Sequence, residues 1–221
     1  CDAISYHHYE GALTGFPGDA TEKAYKAAVG PIVEAQGRVP KPVWMSEGAP
    51  LSGDVSNGFY RCTLPYANDN DNERIADRLV RYLVSHRATG EKRAFLYTMH
   101  GQSTFGGPVT WSTLITADGY LHPSAAAHST LAWLLEDTEY VTSAALAEGV
   151  QAYLFAGGGR AVAAVSAGPR HAALPLPASA ALQWLDLFGN PLAAGASIDD
   201  RVCYAVCDTG LAALRTALGS K

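Results

Sequence analysis

The spacing of apolar and polar positions changes character near residue 138. Before it, strand-like and helix-like patterns take turns. Ala3–Tyr9 (AISYHHY) alternates in the manner of a strand, and residues 10–20, with their Gly, Pro and Asp, form a loop. Thr21 is placed to cap a helix over 22–36, with Ala24, Ala27, Val29, Ile32 and Val33 as its apolar positions, and Gly37 stops it. Val43–Ser46 is a short buried strand that delivers Glu47 onto a Gly-Ala-Pro turn. A long loop over 48–70 follows, then a helix over 72–86. Ile75, Leu79, Tyr82 and Leu83 fall at helical spacing there, with Arg74, Arg78 and Arg81 turned to solvent. Arg93–Met99 is a third strand, residues 100–120 a second long loop, and His122-Pro123 opens a third helix that runs to Leu135.

Strand–helix alternation of this kind implies parallel βα units. Each strand ends in groups capable of chemistry: His7 and Tyr9, then Glu47, then Tyr97 and His100. In a (β/α)8 barrel the carboxyl ends of the strands carry the active site. Three units cannot close such a barrel. The chain is therefore expected to be the carboxyl-terminal piece of a longer enzyme, the alternative being a small open α/β sheet. From Glu139 onward short apolar runs recur (GVQAYLFAG, RAVAAVSAG, AALPLPA, ALQWLDLFG, RVCYAVC and GLAALRTAL), punctuated by Gly-Gly-Gly, Gly-Pro-Arg and Gly-Asn-Pro. Closely spaced short strands with turn residues between them suggest an antiparallel sandwich. The expected division is residues 1–137 and residues 138–221.

Composition narrows the partners. The 221 residues are 48% hydrophobic with a formal net charge of −5, a globular balance. There is no basic block, which argues against nucleic acid, and no apolar run reaches the ~18 residues of a membrane span. The chain opens on Cys-Asp-Ala-Ile-Ser, with neither an initiator Met nor a signal peptide, and is expected to be mature, trimmed or a fragment. Cys1, Cys62, Cys203 and Cys207 make no CxxC metal pattern. Cys203 and Cys207, four apart in a strand, would sit roughly 13 Å apart, too far for a disulfide. Buried free thiols are expected, and the compartment stays open.

Glu47 is the strongest candidate for chemistry, its competing role being that of a turn cap or an arginine partner. His7 and Tyr9, two apart, share one face of their strand, and His8 takes the other. His7 and His8 therefore diverge, no third ligand is evident, and no metal or other cofactor is expected. Trp111 could stack on the apolar face of a sugar, and Tyr97 and His100 could line the same cleft. Trp44, Trp133 and Trp184 are assigned to the core. The polar run NDNDNER lacks the Gly and distal Glu of an EF-hand loop and suits helix capping better. Gly157–Gly159 has no Lys-Ser/Thr after it, so a hairpin turn explains it better than a phosphate loop.

These motifs, in this order, resemble the end of a clan A glycoside hydrolase. Trp44-Met45-Ser46-Glu47-Gly48 resembles the seventh barrel strand of that clan, with Glu47 at the nucleophile position. The His-x-Tyr of His7-His8-Tyr9 resembles the end of the sixth strand, where the family's Tyr touches the nucleophile and its His lies near the sugar. Phe95-Leu96-Tyr97-Thr98-Met99-His100 resembles the eighth strand. Asp118–Ser124 resembles the approach to the last barrel helix. Asp186-Leu187-Phe188-Gly189-Asn190-Pro191 resembles part of the β-sandwich that follows the barrel in several of these families. The resemblance implies an α/β fold made of the last three βα units of a (β/α)8 barrel, followed by an antiparallel β-sandwich. It implies a retaining glycosidase with Glu47 as nucleophile, His7, Tyr9, Tyr97, His100 and Trp111 at the substrate, and a carbohydrate as partner. The family's acid/base Glu follows an Asn on the fourth strand. No such Asn-Glu precedes Asp2, and Asn72-Glu73 comes after the nucleophile, so the acid/base is expected in a missing amino-terminal part of the same barrel. The alternative is a non-catalytic carbohydrate-binding or structural module. A serine hydrolase built on Ser46 or Ser52 is weaker, since no G-x-S-x-G elbow is present.

Overall fold

A computed structural model describes residues 4–10, 30–31, 35, 43–50, 69–88, 93–96, 103–104, 107–108, 114–115, 119–167, 174–193, 195–199 and 201–220. Strands β1 (Ile4–Glu10), β2 (Val43–Pro50) and β3 (Arg93–Leu96) form a three-stranded sheet in that order, both pairs parallel. Helix α1 (Asp69–Ala88) joins β2 to β3 in sequence and packs on β2, where Met45 is fully buried among Ala76, Leu79 and Tyr82. Of the helix expected over 22–36, Gly30, Pro31 and Ala35 are described and helical. Two short strands, β4 (Ser103–Thr104) and β5 (Gly107–Pro108), pair within the long loop. Helix α2 (Pro123–Leu135) starts at the expected proline and packs on α1. The chain is thus mixed α/β.

Beyond α2 lie β6 (Glu139–Ala147), β7 (Val150–Gly157), β8 (Arg160–Ala167), β9 (Leu174–Pro175), β10 (Gln183–Leu185), β11 (Ser197–Ile198), β12 (Cys203–Cys207) and helix α3 (Leu211–Leu218). Five of these strands make an antiparallel sheet in the order β10–β12–β8–β7–β6, while β9 and β11 pair as a separate ribbon. Gly158 and Gly159, at φ 56° and 85°, form the two-residue turn between β7 and β8. Two positive φ values in succession are what a type I′ hairpin needs, and Gly-Gly meets that need without strain. Gly157 has a different reason: a Cβ there would lie 2.1 Å from the Asp137 carbonyl oxygen.

Side chains of the antiparallel sheet alternate between two apolar clusters. Tyr153, Phe155, Val162, Ala164, Tyr204 and Val206 face a cluster shared with α1 (Leu79, Val80, Tyr82), α2 (Leu131, Leu134, Leu135) and Met45. Ala152, Leu154, Ala161, Ala163, Val165, Cys203, Ala205 and Cys207 face another, shared with Leu214 and Leu218 of α3, Ile198 of β11 and Trp184. The sheet is therefore covered by helices on one face and by α3 with the β9–β11 ribbon on the other. This double burial explains why β7, β8 and β12 are continuous apolar runs. The expected boundary at Asp137 falls in the short link between α2 and β6, and one apolar cluster runs across it. Cys203 and Cys207 are buried free thiols, as expected.

Five expectations need correction. Gly48-Ala49-Pro50 is strand rather than turn, because pairing with His8, Tyr9 and Glu10 of β1 carries β2 past Glu47 to Pro50. GLAALRTAL is a helix, not a β-like run: Leu, Ala and Arg are strong helix formers, Leu214 and Leu218 share its buried face, and Gly219 caps it at φ 67°. Helix α1 starts at Asp69 rather than near Asn72, so Asp69–Asn72 of the polar run lie inside its first turn. Arg81 is 3% exposed and paired with Asp77, because the antiparallel sheet covers a second face of α1. Trp133 is 57% exposed, with the Arg160 guanidinium over its ring. Arg160 also donates to the Trp133 and Glu136 carbonyls and Arg87 to the Thr138 carbonyl, so arginines satisfy acceptors at the carboxyl end of α2 and just past it.

Candidate active site

The middle strand of the parallel sheet carries a bulge. Along β1, Tyr6 pairs with Met45 but His7 pairs with Glu47, leaving Ser46 unmatched. Along β3, Ala94 pairs with Met45 and Leu96 with Gly48, so Ser46 and Glu47 together oppose Phe95. Both neighbours thus register one extra residue on β2. An extra residue breaks the period-two alternation and re-aims the side chain that follows. Without it Glu47 would share the face of Met45, which is 0% exposed and packed against α1. With it, Glu47 remains partly open, its side chain 36% exposed.

Register then brings His7 to Glu47. His7 Nδ1 lies 3.8 Å from Glu47 Oε1, and the His7 side chain is 59% exposed. The two residues are 40 apart in sequence and adjacent only because β1 and β2 run parallel. A protonated imidazole at this distance would form an ion pair with the carboxylate. A neutral one offers a donor or acceptor to whatever occupies the space in front of both. Tyr9 continues the same strand and its backbone pairs with Ala49. Tyr9's side chain, and Tyr97, His100 and Trp111, lie outside the described residues. Trp44 and Phe95 stand with ring centroids 6.4 Å apart, and Arg93 lies 5.3 Å over the Trp44 ring. Among the described residues no three His, Cys, Asp or Glu side chains group as a metal site.

Behind the site is a buried polar junction that the pattern of apolar positions does not reveal. Asp77 of α1 accepts from the Val202 N–H at 2.7 Å and from Arg81 Nε. Only the i, i+4 spacing of Asp77 and Arg81 signals the pair in the sequence. Tyr204, 0% exposed, sits in the adjoining cluster. Burial, reinforced by the charge of Asp77, raises its phenol above the ordinary value. Burial likewise pushes the Cys203 thiol up to about 12 and lowers His122 and His128.

No protein-family model matches the chain, and no curated protein does. Solved structures do. A family 39 glycoside hydrolase from the gut symbiont Bacteroides cellulosilyticus WH2 superposes with a TM-score of 0.64 at 15% identity, over 93% of this chain and 44% of that one. A β-porphyranase of glycoside hydrolase family 86 from the human gut bacterium Bacteroides plebeius superposes with a TM-score of 0.54 at 13% identity, over 93% of this chain and 41% of that one. The chain thus spans less than half the length of these two structures. At such identities the likeness is one of fold, and over nearly its whole length the chain has the fold of part of these two glycoside hydrolases.

Proposed function

We propose that the chain is the carboxyl-terminal part of a retaining glycoside hydrolase, with Glu47 as its nucleophile. On this reading β1, β2 and β3 are the last three strands of a (β/α)8 barrel. The antiparallel sheet with its β9–β11 ribbon is the β-sandwich that follows, and the division falls at residues 137–138. The observation that carries the reading is the bulge at Ser46. It presents Glu47 on the central strand of the parallel sheet, ahead of the strand's last residues Gly48–Pro50, partly exposed and opposite His7.

Retention takes two carboxyl groups about 5–5.5 Å apart. The acid/base, contributed by polypeptide outside this chain, protonates the departing glycosidic oxygen while a Glu47 carboxylate oxygen attacks the anomeric carbon. The aglycone leaves as an alcohol and the sugar stays as an ester on Glu47. Water, giving its proton to the second carboxylate, then attacks the same carbon and frees Glu47. His7 and Tyr9 orient Glu47 by hydrogen bonding. Tyr97, His100 and Trp111 line the sugar site, Trp111 by stacking. The substrate is a carbohydrate.

The full-length protein is expected to cleave aryl glycosides, and Glu47→Gln to abolish turnover; unchanged turnover in that variant sinks the assignment. The competing reading is a carbohydrate-binding or structural module without chemistry. A mechanism-based fluorosugar separates the two. Stoichiometric mass gain at Glu47, located by peptide mapping, supports the nucleophile, and sugar binding without covalent gain supports the module.

A further inference from the structure

We infer that Asp77 is a positioning residue for Glu47, and that the antiparallel sheet acts on the site through it. The inference rests on the reading of Glu47 as the reactive carboxylate.

Three residues at successive helical turns of α1 are involved: Glu73, Asp77 and Arg81. The buried carboxylate of Asp77 uses one oxygen to accept from the Val202 N–H at 2.7 Å and the other to accept from Arg81 Nε. One turn earlier, Glu73 accepts from Arg201 at 3.1 Å. Arg201 is itself held by Asp199, through its guanidinium at 3.2 Å and its N–H at 2.9 Å. The Asp199 carbonyl accepts from the Ala167 N–H at the end of β8, at 3.0 Å. Asp199, Arg201 and Val202, which precede the interior strand β12, are therefore fastened along one face of α1. Asp77 is 8% exposed and Arg81 3%, so the inner half of this fastening is out of water, where a lost partner is costly. The outer half is exposed and contributes little.

The same helix holds the site. Met45, 0% exposed, packs in one cluster with Ala76, Leu79 and Tyr82 of α1 and Tyr204 of β12. Met45 immediately precedes the bulge at Ser46 and lies two residues before Glu47. A bulge interrupts the regular register of its strand, so packing beside it helps to set its geometry. Met45, at the start of the bulge, is where β2 packs against α1. The path runs from Val202 to Asp77, from Asp77 through α1 to Met45, and from Met45 to the bulge.

Amide hydrogen exchange on the 221-residue chain tests this without substrate. Asp77→Ala is expected to speed exchange about tenfold or more in segment 199–207 and also in segment 43–50, while segment 139–157 changes less than about twofold. Asp77→Asn, which keeps an acceptor for Val202, is expected to recover most of the protection at 43–50, and covers the case in which the alanine variant fails to fold. Arg201→Gln, which removes only the exposed half, should leave 43–50 as in the wild type. Faster exchange confined to 199–207 overturns the inference, as does a uniform rise over all three segments, which would mark ordinary loss of stability. If Glu47 proves unreactive toward the fluorosugar, the exchange result stands by itself, so the two failures are distinguishable.

Discussion

Replacing Tyr204 by phenylalanine removes one oxygen from the cluster between α1, α2 and β12. The Tyr204 side chain is 0% exposed, and its hydroxyl has no hydrogen-bond partner among the described residues. A buried polar group left unsatisfied costs about 1–3 kcal/mol in desolvation. The void left by the oxygen, on the order of 10 Å³, costs about 0.2 kcal/mol at ~24 cal/mol per Å³. Tyr204→Phe is therefore expected to stabilise the protein by about 1–2 kcal/mol, a rise of roughly 2–8 °C in Tm for a chain of this size. Urea unfolding followed by circular dichroism should show a higher midpoint with an unchanged slope. The sign has a second check. Burial and then the charge of Asp77 raise the Tyr204 phenol above 10.0. The folded protein thus holds this proton while the unfolded chain loses it, and wild-type stability falls as pH rises past the unfolded value. Phenylalanine cannot titrate, so the advantage of the variant should widen above that pH. A variant destabilised by about 1 kcal/mol or more would refute the reasoning, because the hydroxyl would then have a partner such as a bound water.

Gly157→Ala is expected to destabilise by about 1–3 kcal/mol in thermal unfolding. Its Cβ would meet the Asp137 oxygen at 2.1 Å and the Thr138 Cα at 2.9 Å, and both are backbone atoms that cannot swing aside. On the acid side, burial lowers His128 below 6.5, so the unfolded chain binds its proton first and stability falls as pH drops through that value. His128→Gln should flatten this part of the stability–pH curve. On the alkaline side, Cys203 rises from 9.0 to about 12, so stability declines as pH climbs through that window, and a thiol reagent should label Cys203 only on unfolding.

Much of the architecture is local in origin. The proline at the start of α2, the Gly-Gly turn between β7 and β8, and the continuous apolar runs of β7, β8 and β12 have local signatures that act over a few residues. The Leu-Ala-Arg run of α3 was ambiguous for the same reason, since a short apolar stretch satisfies either period until something packs against one side of it.

The candidate site divides along the same line. Sequence alone determined that a carboxylate follows the short apolar run Val43–Ser46 and that a histidine lies on the strand before it, because apolar runs have local signatures. It stopped the later strand too early, since β2 continues through Glu47 to Pro50. Tertiary structure alone decided that Ser46 is the extra residue, that Glu47 consequently escapes the face of Met45, and that His7 lies 3.8 Å away. It alone also decided that Arg81 is buried and Trp133 exposed. A bulge appears only when two strands are laid side by side, and the burial of a helix face depends on which sheet reaches it. Both are relations between distant segments, which no single segment encodes.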